Sequence, residues 1–320
     1  MTSSAPQRQG YATISARGLD FNSIPMRLFQ KSKKLGIWDP FDIDFSRDKQ
    51  DWPIMDDLHH ENILSLGALF QAGEEAVTLD LLPLIMRVSR AGWVEDEIYL
   101  TSFLWEEAKH TEFFRRWFSE VPQIDTDQHD RLGPNYRKIF FEILPQTMNH
   151  LITDDSSEAL VEALVTYNMM IEGTLAETGY WSYSRMLERD RYLPGLAQGL
   201  RLIQRDESRH IRFGIYLLQR LISEQPDLWE TLQAKMFELL PIGIGVTTDN
   251  NESFQEQFGE GNFLIPPEES QAYLQIQFQK RMNALARARQ QTREEIEQEV
   301  AAEIEQESLE ETQMHIHIGD

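Results

Sequence analysis

Two short stretches, Glu107-Ala108-Lys109-His110 and Glu207-Ser208-Arg209-His210, share the spacing Glu-x-x-His and decide the fold and the chemistry predicted for this chain. Side chains three residues apart lie on the same face of a helix, so each Glu and His can hold one metal ion together. A single match is weak, because Glu is abundant here and His occurs eight times. The repetition is what makes the motif informative.

A further glutamate precedes each motif at a similar distance. Glu74 lies 33 residues before Glu107, and Glu172 lies 35 residues before Glu207. The apolar periodicity predicts long helices, with a turn between the two members of each pair. At about 1.5 Å per residue, the two arms of each hairpin have similar lengths. Each hairpin therefore brings its glutamate level with its Glu-x-x-His motif.

Two such hairpins predict an all-α fold, a ferritin-like four-helix bundle with extra helices, whose six inward side chains hold two metal ions. Four carboxylates balance two divalent cations, so the loaded site is neutral and can be buried. Oxygen-rich ligands with one imidazole per metal suit iron and manganese and leave positions for dioxygen. The expected ligands are Glu74, Glu107, His110, Glu172, Glu207 and His210.

Acidic residues also adjoin the expected ligands. Asp206, directly before the second motif, is expected to accept a hydrogen bond from His110 or His210. Glu75 and Glu106 are expected to point away from the site, because a helix turns about 100° per residue.

The remaining pattern divides the chain into an N-terminal arm at 1–50, a dimetal helical domain at 51–290 and an acidic C-terminal helix or tail at 291–320. Residues 294–320 carry nine Glu, Asp320 and no Lys or Arg, and this tail is expected to stay in water. A helix is predicted to end before Pro241, and a Gly-, Asn- and Pro-rich connection is predicted at 245–268.

Composition excludes several classes of protein. The 320 residues include 30 Lys+Arg, 53 Asp+Glu and no Cys, so disulfides, thiolate zinc sites and iron–sulfur clusters are excluded. The net charge of −23 argues against nucleic-acid binding. No apolar run approaches the roughly 20 residues that cross a bilayer, and Met1–Gly10 lacks the apolar stretch of a secretory signal. We expect a cytoplasmic protein that is not an integral membrane protein.

Over about residues 36–240, the sequence resembles the small (beta) subunit of ribonucleotide reductase. The stretch from Trp38 to Phe45 resembles the segment whose tryptophan joins the metal site through an aspartate, and the resemblance implies that Trp38 and Asp206 take these roles. In tyrosyl-radical subunits a tyrosine follows the first motif's His by four residues, whereas Phe114 stands here, as it does in some manganese/iron subunits. A subunit that generates or stores a radical equivalent is the alternative function.

The sequence is more similar to the manganese/iron ligand-binding oxidases that share this fold. Those proteins have a valine three residues after the first Glu ligand and a tyrosine five residues before the Glu ligand that corresponds to Glu172. Val77 and Tyr167 stand at these positions. The resemblance implies that oxygen activation joins the oxygen of Tyr167 to Cβ of Val77 as an ether. It also implies a long-chain fatty acid or similar aliphatic ligand with its carboxylate on the metals, and a homodimer.

The same resemblance implies one manganese ion at the first site, one iron ion at the second, and dioxygen as co-substrate. The first site would comprise Glu74, Glu107 and His110, and the second Glu172, Glu207 and His210. Spacing and composition do not separate manganese from iron, so a di-iron centre also fits. A third function, an iron-storage or ferroxidase bundle, needs neither Val77 nor Tyr167. An acyl pocket is expected among three of the predicted helices: the first, which begins near His60, the second, at about 95–120, and the fourth, at about 154–189.

Overall fold

The computed structural model describes residues 10–259 and 264–318, and every regular element in these ranges is helical, which confirms the all-α prediction. Two π-helical segments, Lys138–Ile143 and Val165–Ala176, connect α-helices without a break, and short 3₁₀ turns lie at Ala12–Ile14, Pro40–Asp42, Trp52–Ile54, His129–Arg131 and Ala288–Gln290. The α-helices are α1 (Ile24–Leu35), α2 (Ser46–Asp51), α3 (Asp57–Asp80), α4 (Leu82–Arg90), α5 (Val94–Glu120), α6 (Pro134–Arg137), α7 (Leu144–His150), α8 (Ser157–Leu164), α9 (Glu177–Asp190), α10 (Pro194–Glu224), α11 (Leu228–Phe258), α12 (Pro267–Arg287) and α13 (Arg293–Ile318).

Four long elements form the bundle: α3, α5, the continuous run from α8 through the second π-helical segment to α9, and α10. α3 packs against α5, and the π-helical segment packs against α10. Pro83 lies in the first turn of α4 and separates it from α3, as its position in the sequence predicts. The buried carboxylate of Asp48 accepts hydrogen bonds from the amides of Gly195 and Leu196, at 2.7 and 2.8 Å, and so satisfies the first turn of α10.

The helix boundary predicted before Pro241 is wrong, because α11 continues through Pro241 to Phe258. The connection predicted at 245–268 is wrong over 245–258, which belong to α11, and over 267–268, where α12 begins. Packing overrides local composition here: Leu239 is fully buried, and Asp249 accepts hydrogen bonds from the amide and side chain of Asn135, at 2.7 and 2.8 Å.

The acidic segment does not stay in water over its described first part, so that expectation is wrong. α13 buries a narrow apolar stripe of Ile296, Val300 and Ile304 against α10 and α1. Charged contacts support this docking, among them Arg27 to Glu305 at 2.7 Å. The many glutamates concealed an i, i+4, i+8 stripe that is sufficient to fix the helix.

α1 lies inside the predicted N-terminal arm and packs against α5 and α10. The division of the chain at residues 50 and 290 stays a prediction. Within the described ranges, no helix is both long and apolar enough to cross a membrane.

Candidate metal centre

The six expected ligands meet in one cluster inside the bundle. α3 supplies one glutamate, α5 and α10 each supply a Glu-x-x-His pair, and the second π-helical segment supplies the fourth glutamate. None of the six is more than 4% exposed. The cluster consists of Glu74, Glu107, His110, Glu172, Glu207 and His210.

Two of the glutamates are shared between the two halves of the cluster. Ligand atoms lie within 4.8 Å of one another in each of two groups, one containing His110 and the other His210, and both groups contain Glu107 and Glu207. Nδ1 of His210 lies 3.0 Å from Oε1 of Glu107 and 3.4 Å from Oε2 of Glu207, while Nδ1 of His110 lies 3.4 Å from Oε1 of Glu207. The sequence assigned each glutamate to one metal, whereas Glu107 and Glu207 each lie close to both histidines and could contribute to both halves.

The donor atoms fit a pair of divalent cations. Both oxygens of Glu107, Oε1 of Glu172, Oε2 of Glu207 and Nδ1 of both histidines are buried and make no hydrogen bond within the described part of the chain. Unpartnered buried polar atoms are costly, so a convergent set of them requires a partner of opposite charge. Burial also raises the pKa of Glu74 to about 8 and that of Glu172 well above its usual range. Closely packed carboxyls hold protons unless cations take their place.

The π-helical segment positions Glu172. Thr174 donates to the carbonyl of Met169, five residues earlier, at 2.8 Å, and Asn168 donates to Oε2 of Glu172 at 2.8 Å. On the facing helix, a Cβ at Gly214 would lie 2.3 Å from Cβ of Asn168, so only glycine permits this approach. Segments of this kind are frequent at functional sites, and the apolar period of the sequence does not reveal them.

Asp206 lies behind His110. Its Oδ2 lies 3.4 Å from Nε2 of His110 and accepts hydrogen bonds from Nε1 of Trp38 at 2.8 Å and from Lys109 at 3.1 Å. The Trp38 ring also stacks on the His110 ring, with 6.2 Å between centroids. The structure thus brings Trp38, Asp206 and His110 together, in the arrangement that the resemblance implied.

Glu106 does not point away from the site, so that expectation is wrong. It is fully buried, and its Oε2 lies 2.8 Å from Nε2 of His210. α10 packs closely enough on α5 to meet the neighbouring face of the helix as well as the ligand face. The sequence held a signal for this contact: Glu106 precedes Glu107 just as Asp206 precedes Glu207, so the two acidic residues could have been expected to play the same part. Glu75, by contrast, is exposed as expected.

A family model described as "Ribonucleotide reductase, small chain" matches residues 27–285. The chain belongs to this family. Solved structures similar to it include R2-like ligand-binding oxidases. A valine-to-alanine variant with an anaerobically reconstituted Mn/Fe cofactor is 37% identical, covers 87% of this chain and 99% of its own, and has a TM-score of 0.81. A valine-to-isoleucine variant with an aerobically reconstituted Mn/Fe cofactor has the same identity and coverage and a TM-score of 0.83. The resemblance inferred from the sequence is thereby confirmed.

Tyr180 also contacts the cluster, through both its hydroxyl group and its ring. Its hydroxyl donates to Oε1 of Glu74 at 3.1 Å and lies 3.3 Å from Oε1 of Glu207. Its ring stacks on Phe70 at 4.5 Å between centroids. Tyr180 therefore packs in the core and also holds two carboxylates of the cluster in place.

Val77 and Tyr167 are in contact beside the cluster. The phenol of Tyr167 donates to the carbonyl oxygen of Val77 at 2.9 Å, and both side chains are buried. Burial, followed by the nearby glutamates, raises the pKa of Tyr167 well above its usual range, so the hydroxyl keeps its proton.

An apolar cavity adjoins the cluster. Three carboxylates line one wall, and aromatic and aliphatic side chains line most of the rest. The expectation that the second bundle helix contributes is wrong, because α5 supplies none of the lining residues in the described chain; α11 and the region around α6 take its place. The lining includes Glu74, Val77, Glu172, Glu207, Leu69, Phe70, Tyr136, Phe140, Ile171, Leu175 and Val246.

Proposed function

We propose that this protein is a dioxygen-activating oxidase with one manganese and one iron ion, held by the six cluster residues. In this proposal it binds a long-chain fatty acid or a similar aliphatic ligand and joins Val77 to Tyr167 through an ether. The contact between the Tyr167 phenol and Val77, beside the carboxylates and the cavity, carries the proposal. The Mn/Fe cofactor of the similar oxidases supports the choice of metals.

A metal pair bound in the cluster would supply the activation of dioxygen. Tyr167 contributes its phenolic oxygen and releases its proton, while Val77 releases the hydrogen on Cβ. A tertiary C–H bond is weaker than that of a methyl group, and Val77 shares the helix face of Glu74 because it is three residues further on. Forming the ether removes two protons and two electrons from the pair of side chains, and dioxygen accepts the electrons. Burial of both residues keeps water from competing for the reactive position.

The cavity supports an aliphatic ligand with one anionic end. Its apolar lining suits an alkyl chain, and Glu74, Glu172 and Glu207 lie at one wall. Carboxylates repel a second carboxylate unless cations lie between them. We therefore expect the fatty acid to bind tightly only to metal-loaded protein.

Phe114 favours the oxidase over the radical-storing subunit. It is fully buried, stacks on Phe70 at 5.3 Å between ring centroids and meets Phe113 edge-on at 5.3 Å. The position at which tyrosyl-radical subunits carry a phenol therefore holds an oxidation-resistant ring. Nucleotide reduction on mixing with a large reductase subunit would establish the alternative. The homodimer, the cytoplasmic location and the identity of the ligand stay predictions.

Peptide mass spectrometry tests the ether. After aerobic loading with manganese and iron, we expect a joined pair of peptides containing Val77 and Tyr167, two hydrogens lighter than their sum. Tyr167→Phe is expected to abolish the joined species. Tyr183→Phe is the matched control, because Tyr183 is another buried tyrosine that donates to a backbone carbonyl, that of Ile63 at 3.0 Å. Fully loaded wild-type protein without the joined peptides would refute the proposal.

A further inference from the structure

Nε2 of each histidine faces a carboxylate from the opposite helical hairpin. The carboxylate that faces His210 lies at hydrogen-bond distance. Oε2 of Glu106 lies 2.8 Å from Nε2 of His210, and its other oxygen accepts from Arg209 at 2.6 Å. The fold makes room for this arrangement at the end of α1. A Cβ on Gly36 would lie 2.1 Å from Oε1 of Glu106, so only glycine leaves this carboxylate in place.

The carboxylate behind His110 is more heavily shared. Oδ2 of Asp206 lies 3.4 Å from Nε2 of His110 and also takes hydrogen bonds from Trp38 at 2.8 Å and Lys109 at 3.1 Å, while its Oδ1 accepts from Arg209 at 2.5 Å. An oxygen that accepts two shorter bonds offers less negative charge to a third donor. Asp206 therefore polarises its histidine less than Glu106 polarises His210.

This difference bears on which metal each half of the cluster prefers. A carboxylate that accepts a hydrogen bond from one imidazole nitrogen raises the basicity of the other nitrogen, which binds the metal. Ferrous ion binds a given nitrogen and oxygen site more tightly than manganous ion does. Manganous ion, with its half-filled d shell, gains no ligand-field stabilisation from a stronger nitrogen donor, whereas ferrous ion does. The half with the stronger imidazole donor therefore discriminates more strongly in favour of iron.

We propose that Glu106 is a specificity-determining residue, which makes the His210 half of the cluster prefer iron and leaves the His110 half to manganese. Glu106 acts through His210 and contacts no metal, so it is a positioning residue. The inference rests on the proposed two-metal function and goes beyond it by assigning the difference between the two metal positions to one carboxylate.

Metal placement in crystals of the full chain tests this. Metal-free protein is loaded without oxygen with equal manganous and ferrous ion, and anomalous scattering at the two absorption edges gives the iron-to-manganese ratio at each position. Glu106→Gln keeps the shape of the side chain and removes its charge. We expect it to lower the ratio beside His210 by about tenfold and to change the ratio beside His110 by less than about twofold. Glu75→Gln, which alters an exposed residue next to a ligand, is the matched control.

The outcomes separate this inference from the proposed function. Wild-type ratios in Glu106→Gln, with both ions bound, overturn the inference and leave the oxidase proposal standing. Wild-type protein that binds neither ion overturns the oxidase proposal and the inference with it. If circular dichroism shows that Glu106→Gln does not fold, Gly36→Ala takes its place, because the added Cβ displaces Glu106 and keeps its charge. The same fall in the ratio supports the inference, and an unchanged ratio overturns it.

Discussion

Loading the metal-free protein with two divalent cations is expected to release about four protons at pH 7. The cluster holds four glutamates and two histidines that are at most 4% exposed, and a net charge at such depth is costly. Two divalent cations neutralise four ionised carboxylates. Without metal, neutrality requires the cluster to bind four protons, which two carboxyls and both imidazoles can carry. The exchange is therefore four protons for two cations.

The pKa shifts of the individual groups agree with this count. Burial raises the pKa of Glu74 to about 8 and that of Glu172 well above its usual range. Burial alone would lower the pKa of His110 and His210, but their carboxylate partners raise it well above the ordinary value. Although burial opposes it, the two histidines beside its oxygens lower the pKa of Glu107 to about 2. At pH 7, one proton therefore resides on each of Glu74, Glu172, His110 and His210.

The affinity for the cations is expected to depend on pH. Protons compete with the cations, so metal affinity falls as the pH is lowered. Above pH 8 the proton of Glu74 is already lost, and the release falls towards three.

Isothermal titration with manganous ion alone measures the release, when it is repeated at pH 7 in buffers that differ in ionisation enthalpy. Glu74→Gln is expected to release about one proton fewer, because its amide carries no titratable proton. Glu75→Gln, changed at an exposed neighbour, is expected to match the wild type. A release of one proton or none at pH 7, or one that increases towards pH 9, would refute this reasoning.

Three further predictions concern stability. Burial raises the pKa of Asp80 to about 6, so its charge destabilises the fold increasingly between about pH 4 and pH 6. Asp80→Asn is expected to melt about 2 °C above the wild type at pH 8, with a smaller gain at pH 5. A Cβ at Gly199 would lie 2.0 Å from the Phe113 ring, and Gly199→Ala should cost about 1–3 kcal/mol in urea denaturation. Val300→Asp places a carboxylate on the buried stripe of α13, and limited proteolysis should then cut the chain near 288–292 faster than in the wild type.

The spacing of charged residues predicted which six side chains meet in the cluster, because a helix converts sequence separation into position. Glu74 and Glu107 share a depth in the bundle for this reason alone. The sharing of Glu107 between both halves did not follow from spacing, since it depends on the distance between two hairpins. The π-helical segment around Glu172 was equally hidden, because a wider turn leaves no mark on a sequence whose residues are buried on every side.

Each hairpin orients the histidine of the other, and the site therefore depends on both hairpins of the bundle. The sequence acidic-Glu-x-basic-His occurs in both hairpins, and each hairpin's acidic residue serves the other hairpin's histidine: Glu106 serves His210, and Asp206 serves His110. Arg209 joins the two by bonding both carboxylates. A single hairpin could bring its own Glu-x-x-His pair to one face, but its imidazole would lack the partner that fixes the ring. The metal site is therefore completed only when the two hairpins pack together, which couples metal affinity to the formation of the bundle.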